Sequence, residues 1–262
     1  MLLLTAVFLV LFWLATHFVH GQLDEITPPS DVNVDTRTFA GAFLLGLAMF
    51  ATLFLGVVLA VFLTLGVVSG DAERGLLQPL VVRPIGRSTL LLSRFLAAGA
   101  VCSAYVLAVY SGALVIVGLT LDWWPTAVVG PGAELALGVL IVIALSLLGS
   151  VGLSATANGI AVFMLFGAGL VAGLLGTIGH ALNSHQIRQA STIASWALPF
   201  EGLYQDGLRL ISRDATGTTS FLLQLGPFGG GYVHGWTIRF WAVAYLALVG
   251  AAALAAFARR NL

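Results

Sequence analysis

LALGVLIVIALSLLGSVGLSATANGIAVFMLFGAGLVAGLLGTIGHALNSHQI, residues 135–187, contains no Asp, Glu, Lys or Arg over 53 positions. As a single helix it would run about 80 Å at 1.5 Å per residue, well over twice the ~30 Å hydrocarbon core of a bilayer. The chain must therefore turn back within it. The small, polar run SATANG at 154–159 offers the turn, which leaves two membrane spans at about 135–153 and 160–179.

The rest of the 262-residue chain reads the same way. It is 59% hydrophobic and 8% charged, with a mean hydropathy of +1.03, which is the profile of an integral membrane protein. A soluble fold of this length needs far more charge to hydrate its surface. The formal net charge is zero, so there is no electrostatic footprint for nucleic acid.

Four further spans lie at about 1–20, 39–68, 90–121 and 235–258. The first lacks the basic start and small-residue cleavage site of a secretory signal and reads as a membrane helix. A polar loop over 21–38 follows it, with Asp24, Glu25, Asp31 and Asp35 against Arg37. The third span stops at Asp122-Trp123-Trp124-Pro125, a composition that marks the membrane interface. Arg74, Arg83, Arg87 and Arg94 cluster between the second span and the first turn or so of the third, and Arg259 and Arg260 follow the sixth. Positive-inside places both clusters in the cytoplasm, and only an even number of spans between them allows it. The expectation is an all-α polytopic membrane protein with six transmembrane helices and both termini cytoplasmic, a single transmembrane domain over 1–262.

The segment 180–234 falls outside by parity and is too polar to span. Within it Phe200, Leu203, Tyr204, Leu208 and Ile211 recur at helical spacing, while Glu201, Gln205 and Arg209 fall on another face. This predicts a short amphipathic helix, lying in the outer interface or dipping into the membrane as a re-entrant hairpin, with Trp196 as an anchor.

Charge in this apolar chain gathers in SGDAERGLLQPLVVRPIGRSTLLLSRF, residues 69–95, which holds Asp71, Glu73, Arg74, Arg83, Arg87 and Arg94. Asp71 can cap a short helix with Glu73 in its first turn, and Pro79 closes it. Leu76, Leu77, Leu80 and Val81 supply an apolar face suited to a groove on a partner. Pro84-Ile85-Gly86-Arg87 then makes a turn into the third span.

The order of these residues resembles that in permease subunits of type-2 ABC exporters, in the branch that includes the copper-enzyme maturation permeases. There the second helix ends in an acidic segment with a glutamate and a glycine, followed by leucines, a Pro-x-x-Arg turn and a basic residue one turn into the third helix. Asp71, Glu73, Arg74, Gly75, Leu76, Leu77, Pro84, Arg87 and Arg94 occupy that stretch here. The resemblance extends to the six helices, the very short link between the fourth and fifth, and the helical elements between the fifth and sixth. Two features depart from the family: Met1 runs straight into apolar sequence, and Leu76 stands where threonine is common. The resemblance implies that the loop at 69–89 couples to two separate ATPase subunits and that a second permease subunit completes a dimeric pathway. It also implies an exporter in a prokaryotic cytoplasmic membrane, with an extracytoplasmic accessory protein as a further candidate partner; an apolar or amphipathic substrate suits the lack of ionisable residues at the span centres.

Lysine is absent altogether. A P-loop needs its lysine on the nucleotide phosphates and Schiff-base chemistry needs a lysine amine, so neither can be built from this chain. No cofactor is expected in it, and ATP and Mg belong to the partner ATPase. No catalytic or metal-binding residues are expected either. Cys102, the only cysteine, reads as a packing residue.

His17 and His20 lie one turn apart, and His180, His185 and His234 also fall near the outer face. No carboxylate or cysteine completes a recognisable ligand set with them. Gly169, Gly173 and Gly176 form a small-residue stripe on the fifth span, suited to helix packing or to a dimer interface. No ionisable residue falls at the centre of a span as drawn, which argues against an ion-coupled transporter. Uncharged polar residues such as Thr52, Thr64, Ser103 and Ser111 are left to line a pathway. An intramembrane enzyme is the alternative from another class, with Ser184 and His185, or Glu201 and Asp206, as its candidate pairs. A structural membrane anchor is the third reading.

Overall fold

The computed structural model describes residues 1–23, 35–65, 87–225 and 235–259. Among them all regular structure is helical: α1 (Leu2–Leu23), α2 (Thr36–Thr64), α3 (Arg87–Leu121), α4 (Val129–Gly152), α5 (Ala155–Ala181), α6 (His185–Ala197), α7 (Pro199–Ile211), a 3-10 turn (Ser212–Asp214), α8 (Gly217–Leu225) and α9 (Trp236–Arg259). Six of these, α1 to α5 and α9, are long and apolar enough to cross a membrane. The chain is thus a multi-pass membrane protein, with the number of spans read from its sequence.

α4 is the hub, packed against α2, α3, α7 and α9. Its buried seam Leu135, Val139, Ile143 and Leu147 repeats every fourth residue, as does Leu45, Met49 and Leu53 on α2. That spacing sets one face of each helix against its neighbours. Lipid is as apolar as leucine, so helices within a membrane hold together by close fit rather than by hydrophobic burial. Gly56 shows how close the fit is: a Cβ there would lie 2.6 Å from Val106 of α3 and 2.9 Å from Val139 of α4. α1 lies mainly against α3, where Thr5 Oγ1 and Tyr105 Oη share a hydrogen bond of 2.6 Å.

The break between α4 and α5 is tighter than the SATANG run predicts. It is confined to Leu153 and Ser154, and residues 155–159 already belong to α5. The polar residues here serve packing and capping, so their composition mimics a loop. Asn158 turns back and donates from Nδ2 to the Ser146 carbonyl at 2.9 Å. Ser146 in turn shares a 2.6 Å hydrogen bond with Thr64 of α2. Gly149 admits the Asn158 amide, which any Cβ at that position would strike.

The opposite end of the bundle is tied by polar contacts between loops. Asp35 caps α2, accepting from the Thr38 amide at 3.1 Å and the Thr38 hydroxyl at 2.6 Å, and its own amide donates to Thr219 of α8. The Thr126 amide donates to Asp214 at 2.9 Å. Trp123 fills the space left by Gly41 of α2.

α4 begins at Val129, upstream of the boundary that Glu134 suggests, and carries that carboxylate inside it. The charge is tolerated within a span because the partly buried Arg239 of α9 meets it.

Candidate functional site

The polar site of the described structure is organised around α7. Pro199 opens this helix at N1, where its missing N–H leaves no hydrogen bond unmade. The strongly amphipathic spacing of 199–211 does form a helix. Its polar side, however, is not turned to water: Glu201 and Asp206 are 3% and 0% exposed, because neighbouring helices close over both sides of α7. α4, α9, α2, α5 and α6 all touch it.

On one side α7 meets α4 and α9 through charge. Arg239, in the first turn of α9, donates from Nε to Asp206 Oδ2 at 2.8 Å, and its Nη2 lies 2.7 Å from the same oxygen. That Nη2 is also 2.7 Å from Glu134 Oε1 on α4. Arg209 approaches the other Asp206 oxygen at 3.3 Å with its side chain half exposed. Two carboxylates and two guanidinium groups make a formally neutral cluster. One planar guanidinium suits this arrangement, since its fan of N–H donors can serve two acceptors at once. Arg239 also stands 5.0 Å from the ring centre of Trp236, a cation–π contact.

Two glycines permit the approach. A Cβ on Gly207 would lie 2.8 Å from the Met49 methyl and 3.2 Å from Glu134 Oε2, so a small residue here lets α7 seat closely over α4. Gly235, at φ +53°, gives the left-handed residue that leads into α9 next to Arg209.

On its other side α7 packs on α5. Gly169 faces the Phe200 ring, and Gly173 faces the Glu201 carboxyl and the Gln205 amide, whose Nε2 is 3.1 Å from where a Cβ would stand. Gly176 is buried on the same helix. The glycine stripe therefore receives a helix of its own chain at its first two positions. Phe166 of α5 stacks on Phe200 at 5.8 Å, and Tyr204 Oη donates to the Gly46 carbonyl of α2 at 3.4 Å.

Glu201 and Asp206, paired by the enzyme alternative, face different neighbours: α5 for the first, α4 and α9 for the second. Ser184 precedes α6 without a capping hydrogen bond from its side chain, and His185 is exposed. His17 stacks on Trp13 at 5.8 Å, and both are exposed, as is His20. His234 and the side chain of His180 lie outside the described residues. Among the described residues no three His, Cys, Asp or Glu gather in a group able to hold a metal.

Thr52 and Thr64 are buried and donate to carbonyls of their own helix at 2.7 Å. Ser103 is half-buried and Ser111 exposed on α3. Cys102 is buried in the core. The residues assigned to the coupling loop, Asp71, Glu73, Arg74, Gly75, Leu76, Leu77 and Pro84, lie outside the described residues. Arg87 opens α3, and Arg94 is exposed two turns further along it.

Sequence reading missed Glu134 and Arg239. Glu134 bounds the uncharged run at 135–187 and Arg239 falls within the sixth span, and neither was assigned a role. A local signal did exist: each is the one charge in the first two turns of a largely apolar helix, a position that calls for a partner. No protein-family model matches the sequence, and no curated protein matches it.

Proposed function

We propose that the chain is the membrane-spanning subunit of an ATP-driven ABC exporter of the type-2 class. The observation that carries the reading is the ordered set Glu73, Gly75, Leu76, Leu77, Pro84, Arg87 and Arg94, which runs from the end of the second of six spans into the start of the third. A loop of that make-up is a docking element for a motor, and a chain without lysine needs one from outside. The six candidate spans and the helical pair α6–α7 between the fifth and sixth agree with such a permease.

In this reading α6 and α7 form a re-entrant hairpin on the outer side, held by the Arg239 cluster. The subunit dimerises, two ATPase subunits bind its cytoplasmic loops with ATP and Mg, and their closure drives an apolar or amphipathic substrate outward. The membrane is the cytoplasmic membrane of a prokaryote, with both termini inside.

The test is a search of the adjacent reading frames for one carrying a Walker A motif and an ABC signature, followed by co-expression with its product. Affinity capture of the permease should retain the ATPase, and reconstituted complex should hydrolyse ATP faster than the ATPase alone. Glu73→Ala and Arg87→Ala should each lower that stimulation by about tenfold, the scale of a lost charge-assisted contact, while membrane insertion stays normal. Capture of no ATPase by a well-inserted permease would sink the reading.

A further inference from the structure

Two buried carboxyls stand on α7, and only one is matched by charge. Asp206 meets Arg239 and Arg209. Glu201, 3% exposed on the other side, has no guanidinium or imidazole in ion-pair range among the described side chains. The ionisable groups of the surrounding elements are placed elsewhere. Glu134 of α4 is held by Arg239 across the helix. Arg188 of α6 turns to Asn183 and the Ser184 carbonyl, and His185 is exposed. Arg37 of α2, Arg259 of α9, and Arg213 and Asp214 of the 3-10 turn are exposed too, while Tyr245 of α9 lies against Trp241. Tyr204, on α7 itself, gives its hydroxyl to Gly46. α5 offers only His180, about two turns past Gly173; the His180 side chain lies outside the described residues.

We propose that Glu201 is a proton-binding site at the joint of α5 and α7, and that its neutral carboxyl is the form in which α7 lies against the glycines of α5. Two geometric observations choose a proton as the ligand. Glu201 Oε1 and Gln205 Oε1 are both buried without a hydrogen-bond partner, on side chains one helical turn apart on the same face. Both atoms are acceptors, and a proton on the carboxyl supplies the donor that an ionised carboxylate and an amide oxygen lack. The second observation is space. The carboxyl is pressed on Gly173, where even a Cβ would strike it, and the Phe200 ring fills the notch at Gly169. A proton is the cation that needs no room of its own. An unpaired carboxylate held away from water takes one up rather than staying charged. Burial accordingly lifts the Glu201 carboxyl to about 7, with the Gln205 hydrogen bond drawing it partly back.

With α7 lifted from α5 the carboxyl returns to water and to its ordinary 4.5, so the seated form holds the proton more tightly. Seating is strongest at or below that value, weakens as pH rises from it to about 7, and levels off above. None of this depends on the transport assignment. The chain in nanodiscs is followed by infrared pH-difference spectroscopy and by hydrogen exchange of the α7 backbone, corrected for intrinsic rates. The parent should lose a protonated-carboxyl C=O band as pH rises through about 7. Protection of 199–211 should fall about tenfold or more between about pH 5 and about pH 8. Glu201→Gln, neutral at every pH, should lack the band and keep its protection throughout. Glu201→Met, neutral and unbranched, repeats the comparison should the amide variant fail to fold. A parent spectrum without that band, or the same band in a neutral variant, overturns the proton site. An equal fall in protection in a neutral variant assigns the effect to another group, and a band with no change in protection overturns the link to the seating of α7.

Discussion

Arg239 is the residue on which the polar interior depends. It serves Glu134 and Asp206 at 2.7 Å each, and its removal would leave two carboxylates buried together. Arg239→Leu should therefore lower stability by about 3–5 kcal/mol, the cost of stranding a buried charge. Replacing Glu134, Asp206 and Arg239 together by leucine or methionine should restore most of that loss, since no buried charge is then left unpaired and the half-exposed Arg209 can turn to water. Thermal unfolding in detergent, read by tryptophan fluorescence, checks both variants. A triple variant no more stable than Arg239→Leu would mean that the cluster does more than satisfy itself.

Asp35 and Asp214 are exposed counterparts at the loop end. Hydrogen bonds from Thr38 hold the Asp35 carboxyl below its ordinary 3.8, and those from Thr126 do the same for Asp214. Each contribution is therefore present above that value and is lost as pH falls through the lower folded value. Hydrogen exchange at the Thr38 and Thr126 amides should quicken, relative to intrinsic rates, only once the pH drops below about 4. Loss of protection near neutrality would assign these amides to a different restraint.

At the scale of elements, α7 is the piece whose setting decides the site. Gly207→Ala should cost little, because the nearest atom is the mobile Met49 methyl at 2.8 Å. Gly207→Val should cost about 1–3 kcal/mol as an overpacked contact, since a branched side chain would press on Glu134 and Pro131 as well. Equal unfolding temperatures for the valine variant and the parent would contradict the close seating of α7 on α4.

The helix itself was legible, because Phe200, Leu203, Tyr204, Leu208 and Ile211 fix its period locally. The environment of its polar residues was not. Glu134 and Arg239, which receive Asp206, stand far from it in the chain, and no local period encodes a contact of that range. The α4–α5 turn erred in the other direction: Ser154, Asn158 and Gly159 carry loop composition, yet Asn158 spends its amide on Ser146 across the hairpin.

For the whole molecule, span number was readable because it rests on length and charge alone. Which end faces which compartment is an expectation from Arg74, Arg83, Arg87, Arg94, Arg259 and Arg260. Single cysteines in a Cys102→Ala background test it. A cysteine at Ser184 or Thr216 should react with an impermeant maleimide added to intact cells, and one at Ser154 should react only after the membrane is opened. The reverse pattern would invert the topology.

The sharing of Arg239 also bears on how the chain is made. α4 and α7 leave the ribosome before α9 does, so Glu134 and Asp206 exist for a time as like charges without the guanidinium that joins them. α7 can settle only after the last span has arrived, which makes its docking a closing step of biogenesis. A nascent chain cut off before Trp236 should keep its α4 and α5 in the membrane yet leave α7 open to quality-control proteases.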